Sequence, residues 1–86
     1  MDEYSVVFAR SARKELERLE VALGSRILRR IESLAKNPRP EGCRKLQGAA
    51  NLWRIRIADY RVLYAVDDAA QIVDVIAVRH RSEAYR

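Results

Sequence analysis

The sequence predicts an α+β domain with the element order β-α-α-β-β-β. A helical hairpin is expected to pack on one face of a small, mainly antiparallel four-stranded sheet. Two observations lead to this prediction. The first half of the chain has two stretches with apolar residues at helical spacing, and the second half has three runs rich in β-branched and aromatic residues. Because the chain has only 86 residues, we expect a single domain, 1–86.

The first half of the chain is predicted to form one strand and two helices. Residues 4–8 have the composition of a short strand. A helix is expected after an N-cap at Ser11, and its end is expected near Gly24. Its apolar stripe consists of Ala12, Leu16, Leu19 and Leu23. A second stripe, which contains Ile27, Ile31 and Leu34, runs until Pro38 forbids helix continuation. The two helices are therefore expected to turn around Gly24.

The second half of the chain is predicted to form the rest of the sheet. Residues 38–51 contain both prolines and two of the three glycines, which is typical of a connecting segment. Residues 52–57 and 61–66 are then separated by a short turn, as in an antiparallel hairpin. The run 71–78 is too continuously apolar for an exposed edge, so it is expected to be a central strand.

Charge is concentrated on one side of the predicted sheet. Successive side chains of a strand alternate between its faces, so Arg54 and Arg56 share one face while Trp53, Ile55 and Ile57 share the other. Trp53 is thus expected in the core, and the two arginines, together with Arg61, are expected on an open, solvent-exposed face that the helices do not cover. With a net charge of +5, this face suits nucleic acid, an anionic surface or an acidic protein.

Several classes of protein are not favoured by the composition. No apolar run is long enough to span a bilayer, and the N-terminal residues do not resemble a secretory signal, so a cytoplasmic protein without membrane contact is expected. Cys43 is the only cysteine, which excludes a disulfide or a cysteine-rich zinc site within one chain. The chain also has no recognisable carboxylate-histidine pair, so we expect no metal and no cofactor.

Four segments carry a resemblance to a known family that covers nearly the whole chain. They are Lys45-Leu46-Gln47-Gly48, Leu52-Trp53-Arg54-Ile55-Arg56, Asp59-Tyr60-Arg61-Val62-Leu63-Tyr64 and the ending Val78-Arg79-His80-Arg81-Ser82-Glu83-Ala84-Tyr85-Arg86. Together they resemble the RelE/ParE superfamily of toxins from type II toxin-antitoxin systems. The ending, with its basic cluster and tyrosine, is similar to the RelE branch, and the fold implied is the RelE-like microbial ribonuclease fold.

The resemblance implies a function and a set of partners. RelE-branch toxins are ribosome-dependent endoribonucleases (mRNA interferases) that cut mRNA in the decoding site and so inhibit translation. Cleavage proceeds by attack of a ribose 2′-hydroxyl on its own 3′-phosphate and needs no metal. The implied partners are a cognate antitoxin, which silences the toxin, and the ribosome with its mRNA. Contact with operator DNA is implied only through the antitoxin.

The resemblance also assigns candidate site residues. The catalytic candidates are Arg56, Arg61, Arg79 and Tyr85, and the RNA-binding candidates are Lys45, Arg54, His80 and Arg81. Arg61 would clamp the scissile phosphate, because two parallel N–H donors of a guanidinium match two phosphate oxygens. The alternative for Arg61 is a structural salt bridge to Asp59 or Asp67.

The general base is left open. The best-known member of the branch has lysines where this chain has Arg54 and Arg56, and a guanidinium stays charged at any physiological pH. Tyr85 is one candidate, since neighbouring positive charge stabilises a phenolate; its alternatives are stacking on an RNA base or packing of the tail. His80 is another candidate, because imidazole exchanges protons near neutral pH. Strand alternation, however, sets His80 opposite to Arg79, which favours a surface or core-edge histidine.

Two other functions are compatible with the same residues. In the ParE branch, a protein of the same fold poisons DNA gyrase by binding and cleaves no RNA. The nuclease is favoured over the gyrase inhibitor only if Arg79, Arg81 and Tyr85 act together in one site. A generic RNA-binding module would need only the basic face, and Lys45 with its neighbour Arg44 would then either follow an RNA backbone or lie in a solvated loop.

Overall fold

The computed structural model describes residues 3–48 and 50–84 of the chain. In chain order the elements are β1 (Ser5–Phe8), α1 (Arg10–Glu17), α2 (Val21–Ser33), β2 (Arg44–Lys45), β3 (Leu52–Ile57), β4 (Tyr60–Asp67), β5 (Ile72–His80) and α3 (Arg81–Ala84). The strands form one sheet in the order β1-β5-β4-β3-β2, parallel only between β1 and β5. The predicted α+β class is confirmed, and β5 is an inner strand as predicted.

The sheet has five described strands instead of the predicted four. The additional strand, β2, lies within the segment that was predicted to be only a connection. Arg44 pairs with Arg54 and Lys45 pairs with Trp53. A strand of two residues between glycine-containing turns is too short to produce an alternating pattern, so the sequence did not indicate it.

The turn between the helices also differs from its prediction. It comprises residues 18–20, and Gly24 lies inside α2. The apolar pattern hides this turn because Leu19 packs against the core from within it. Ser11 is not the N-cap: Ala9 holds that position, and the Ser11 hydroxyl donates to the carbonyl of Ile76 at 3.4 Å.

The core lies between the helical hairpin and one face of the sheet. The buried helix residues are Ala12, Ile27 and Ile31, and the buried sheet residues include Ile55, Ile57, Val62, Tyr64, Val66, Val73, Val75 and Val78. Trp53 packs against this cluster, as predicted. Because Ile55 and Ile57 face the helices, the alternating residues Arg54 and Arg56 face the other side. That second side is called the open face below.

A β-bulge changes which residues of β5 reach the open face. Leu63 pairs with Ala77, whereas the next residue, Tyr64, pairs with Val75, so Ile76 has no opposite partner. The extra residue reverses the alternation along β5. Val75 before the bulge and Val78 after it are both buried, and Arg79 therefore lies on the open face.

The segment between α2 and β2 is fixed to the sheet at two points. The buried Tyr64 hydroxyl donates to the Pro38 carbonyl at 2.7 Å. The guanidinium of Arg39 makes two bonds to Asp68, at 3.1 and 2.7 Å, and also lies 5.2 Å from the centre of the Trp53 ring. The Tyr4 hydroxyl donates to the same carboxylate. These contacts hold the segment that leads into β2.

The Asp68 contacts predict a pH-dependent contribution to stability. Hydrogen bonds from Arg39 and then Tyr4 hold the pKa of Asp68 below its ordinary value. A carboxylate with a lowered folded-state pKa stabilises the fold above its unfolded pKa, and this contribution is lost as the pH falls through the folded value. Asp68→Asn should therefore lower the free energy of unfolding at neutral pH, and the difference from wild type should shrink below about pH 4.

Urea unfolding at several pH values measures this effect. Glu32→Gln is the matched control, since Glu32 is exposed and makes no ion pair among the described residues. A difference between Asp68→Asn and wild type that stays constant across the pH range would contradict the assignment.

Candidate nucleic-acid interface

Three arginines from three neighbouring strands lie side by side on the open face. Arg56 of β3 pairs with Arg61 of β4, and Arg61 pairs in turn with Arg79 of β5. Directly opposed residues of antiparallel strands point to the same face. The structure thus brings together three of the four predicted catalytic residues in one arginine row.

Arg61, at the centre of this row, is buried. Only 2% of its surface is exposed, and its Nη1 donates to the Arg81 carbonyl at 3.4 Å. The short helix α3 packs against β4 and β5 at this point. The prediction of an exposed Arg61 was therefore wrong, because the sequence did not indicate that α3 packs against β4 beside Arg61. Neither Asp59 nor Asp67 forms an ion pair with Arg61; the Asp67 carboxylate accepts from the backbone N–H of Ala70 instead.

Arg79, at one end of the row, is held by a carboxylate that the sequence analysis missed. The Nε of Arg79 lies 2.8 Å from Oε2 of Glu15 on α1. The other oxygen, Oε1, accepts from the backbone N–H of Val78 at 2.9 Å. Glu15 thus binds the part of the β5 edge that β1 does not reach, and it restrains the Arg79 guanidinium. No local pattern predicts this contact, since the two residues are distant in sequence.

A second group of arginines lies toward the β2 edge of the open face. Arg44, Arg54 and Arg56 line a groove with Gly42, and its volume is about 210 Å³. Arg44 shares the face of Arg54 because the two residues are directly paired. Lys45 pairs with Trp53 and so lies on the opposite side of the sheet. Of these two neighbours, the structure brings Arg44 to the interface and not Lys45.

The remaining predicted residues lie near the end of β5. Arg81 is exposed at the start of α3, and its backbone N–H donates to the backbone carbonyl of Asp59 at 2.8 Å. His80 contacts Tyr60 on the side of the sheet away from the arginine row, with the rings edge to face and their centres 5.4 Å apart. Its Nδ1 lies 3.0 Å from the Ser82 hydroxyl. Tyr85 lies outside the described residues.

The chemistry of the arginine row is that of an anion site. Guanidinium groups donate hydrogen bonds and keep their charge, so the row can hold a phosphate and stabilise added negative charge on it, but it cannot accept a proton. In the part of the chain that the structure describes, no group of three or more histidine, cysteine, aspartate or glutamate residues could hold a metal ion. The described helices include none that is long and apolar enough to cross a membrane.

Comparison with known proteins identifies the family. A family model for the ParE toxin of parDE type II toxin-antitoxin systems matches residues 6–85. The toxin RelE of Mycobacterium tuberculosis is 31% identical over 84 residues, which is 96% of this chain and 87% of the relative. The RelE-RelB complex of the archaeon Pyrococcus horikoshii aligns with a TM-score of 0.82 and 29% identity, over 94% of this chain and 97% of the matched chain.

A second solved structure leads to the same family. The intact RelBE toxin-antitoxin complex of Escherichia coli aligns with a TM-score of 0.79 and 28% identity, over 90% of this chain and 95% of the matched chain. The sequence match covers nearly all of the chain, and the solved relatives share its fold. The chain therefore belongs to the ParE toxin family of type II toxin-antitoxin systems and, within the RelE/ParE superfamily, is a toxin of the RelE type.

Proposed function

We propose that this toxin is a metal-independent, ribosome-dependent endoribonuclease that cleaves mRNA in the decoding site. The observation that supports the proposal best is the arginine row, in which Arg56, Arg61 and Arg79 occupy directly paired positions on three strands. A phosphate above the buried central guanidinium would receive donors from both sides. Such preorganised charge is worth most where negative charge grows during the reaction.

The proposed reaction is intramolecular transesterification. The ribose 2′-oxygen forms a bond to phosphorus, the bond from phosphorus to the 5′-oxygen breaks, and the products are a 2′,3′-cyclic phosphate and a 5′-hydroxyl. Once α3, whose Arg81 carbonyl accepts from Arg61, moves away from the row, Arg61 and Arg79 would hold the non-bridging oxygens. Arg56 would neutralise the charge that accumulates on them. Because the arginines of the row keep their protons, Tyr85, as a phenolate, would accept the proton of the 2′-hydroxyl. Water would give a proton to the departing 5′-oxygen. Arg54 and Arg81 would bind the flanking RNA.

The partners follow from the same proposal. A protein that cuts mRNA in the decoding site works on the ribosome, which implies a cytoplasmic location. The solved relatives named above are complexes of RelE with RelB. By analogy, a cognate antitoxin would neutralise this chain, and any contact with operator DNA would be made through that antitoxin.

A cleavage assay on ribosomes tests the proposed activity. Purified protein should leave naked mRNA almost intact, because the arginines can clamp a phosphate but cannot place a flexible strand for in-line attack. The ribosome would supply that positioning, which can contribute about 7–11 kcal/mol to a barrier. With programmed ribosomes and an empty decoding site, we expect cleavage that leaves a 5′-hydroxyl on the downstream fragment and is unaffected by a chelator.

The same preparation distinguishes the rival function. The matching family model describes ParE toxins, so inhibition of DNA gyrase by binding is the second candidate. If mRNA stays intact on ribosomes and a gyrase assay shows trapped double-strand breaks in DNA, the protein is a gyrase inhibitor and not a ribonuclease.

A further inference from the structure

The groove between β2 and β3 contains positive charge that the rest of the described protein does not balance. The side chains of Arg44, Arg54 and Arg56 form no ion pair and no hydrogen bond with any described residue. By contrast, Arg39 and Arg79, also among the described residues, each hold a carboxylate. Three like charges along one groove repel one another, so the free protein gains from any anion that binds between them.

The shape and lining of the groove select the kind of anion. Gly42 has φ +92°, a conformation that favours glycine, and a Cβ at this position would have no heavy atom within 4 Å. The backbone wall at Gly42 is therefore open, and the volume of about 210 Å³ has room for several water molecules or one phosphate group with some of its waters. Guanidinium forks from two strands can bind the oxygens of such a group from two sides.

We propose that Arg44, together with Arg54 and Gly42, forms a docking site for a backbone phosphate of single-stranded RNA, separate from the site of cleavage at Arg61. This inference rests on the proposed ribonuclease function, and Arg56 connects the two sites because it borders both. One strand of RNA would place its scissile phosphate over the arginine row and a neighbouring phosphate in the groove. Positively charged grooves that follow a backbone in this way are typical of sequence-independent single-strand binding.

Single-stranded RNA fits this groove better than a segment of an acidic protein does. The side chains that line it are arginines, with no apolar residue among them. A protein segment that folds on binding normally needs apolar contacts to offset its ordering cost. The described surface has a more apolar depression elsewhere, on the helical side. It is lined by Phe8, Leu16 and Leu28 together with Arg13 and Glu17.

Binding of a non-cleavable RNA tests the docking site. The probe is a short, fluorescently labelled oligouridylate with 2′-O-methyl groups, which removes the attacking hydroxyl and separates binding from cleavage. Arg44→Ala should weaken binding at low salt by about tenfold, the scale of a charge-assisted hydrogen bond. It should also reduce the slope of log K against log salt by about 0.7, the value for one phosphate contact on a single strand.

Three further variants make the test specific. Arg29→Ala removes the same charge from an exposed position on α2, behind the sheet, and should leave both affinity and slope unchanged. Lys45→Ala changes the neighbour that faces the other way and should lose less affinity than Arg44→Ala. Arg44→Gln keeps more of the side chain in case alanine disturbs the short strand β2. Circular dichroism verifies that each variant is folded.

The outcomes separate the docking site from the proposed activity. Equal RNA affinity for Arg44→Ala and Arg29→Ala would overturn the docking site, even if the wild type cuts mRNA on ribosomes. Loss of affinity specific to Arg44→Ala would support it, even if no cleavage were found. Weaker binding of the purified antitoxin by Arg44→Ala, with RNA affinity unchanged, would overturn it in favour of a protein contact.

Discussion

Arg61→Ala should lower cleavage on ribosomes by about two to three powers of ten, the usual scale for removal of one preorganised donor. It should also lower the melting temperature, because Arg61 is 2% exposed and donates to the Arg81 carbonyl. Loss of a hydrogen bond from a charged group costs about 1.5–3 kcal/mol. In a domain of this size, each kcal/mol corresponds to about 4–8 °C. A single-turnover cleavage assay measures the loss of rate, and thermal unfolding of the same preparation measures the change in melting temperature.

Arg61→Lys distinguishes charge from geometry. It keeps a positive charge but loses the planar fork, so it should recover part of the stability and little of the cleavage rate. Arg29→Ala on the far side serves as the control and should change neither quantity. If Arg61→Ala melts at a lower temperature but cleaves at the wild-type rate, Arg61 is structural and the proposed catalytic role falls.

Ile55→Ala should produce the largest loss of stability that we predict. Ile55 lies between the two arginines of β3 and is 1% exposed, in contact with the helical side of the core. Truncation of a buried isoleucine costs about 2–5 kcal/mol, a large part of the about 5–15 kcal/mol that stabilises a typical protein. Ile55→Val, which removes one methylene, should cost about 0.5–1.5 kcal/mol. Urea unfolding gives both values.

The control for this series is Val21→Ala on α2, because Val21 is 83% exposed. It should change the free energy of unfolding by no more than about 0.5 kcal/mol. RNA affinity per folded molecule should be retained in Ile55→Val, since the arginines stay on the open face. A cost for Ile55→Ala as small as that for Val21→Ala would mean that β3 is not anchored through this residue.

Most of the fold could be predicted because its elements have strong periodic patterns. The alternation in β3 correctly placed Trp53 and Ile55 on one face and Arg54 on the other, and the continuous apolar run of β5 correctly indicated an inner strand. The helix boundary near Gly24 was wrong because Leu19 continues the apolar stripe through the turn. Periodicity reports burial, and a residue in a turn can be as buried as one in a helix.

The site was only partly predictable, since its geometry depends on contacts between distant segments. Residue types and the family resemblance indicated Arg56, Arg61 and Arg79. Their alignment in one row depends on strand register and on the bulge at Ile76. Neither is encoded in a local pattern, and the same is true of the contact between Glu15 and Arg79. The inclusion of Arg44 instead of Lys45 likewise depends on which of two adjacent residues pairs with Arg54.

The parallel pairing of β1 with β5 has a consequence for assembly of the interface. Ser5 pairs with Ile72, so β1 can join the sheet only by closing a loop that contains α1, α2 and the strands β2, β3 and β4. The antiparallel strands β3, β4 and β5 need only short turns, and their closure costs less chain entropy. Arg56, Arg61 and Arg79 can therefore be aligned by local steps, whereas the restraint that Glu15 places on Arg79 depends on a contact between residues 64 positions apart in the chain.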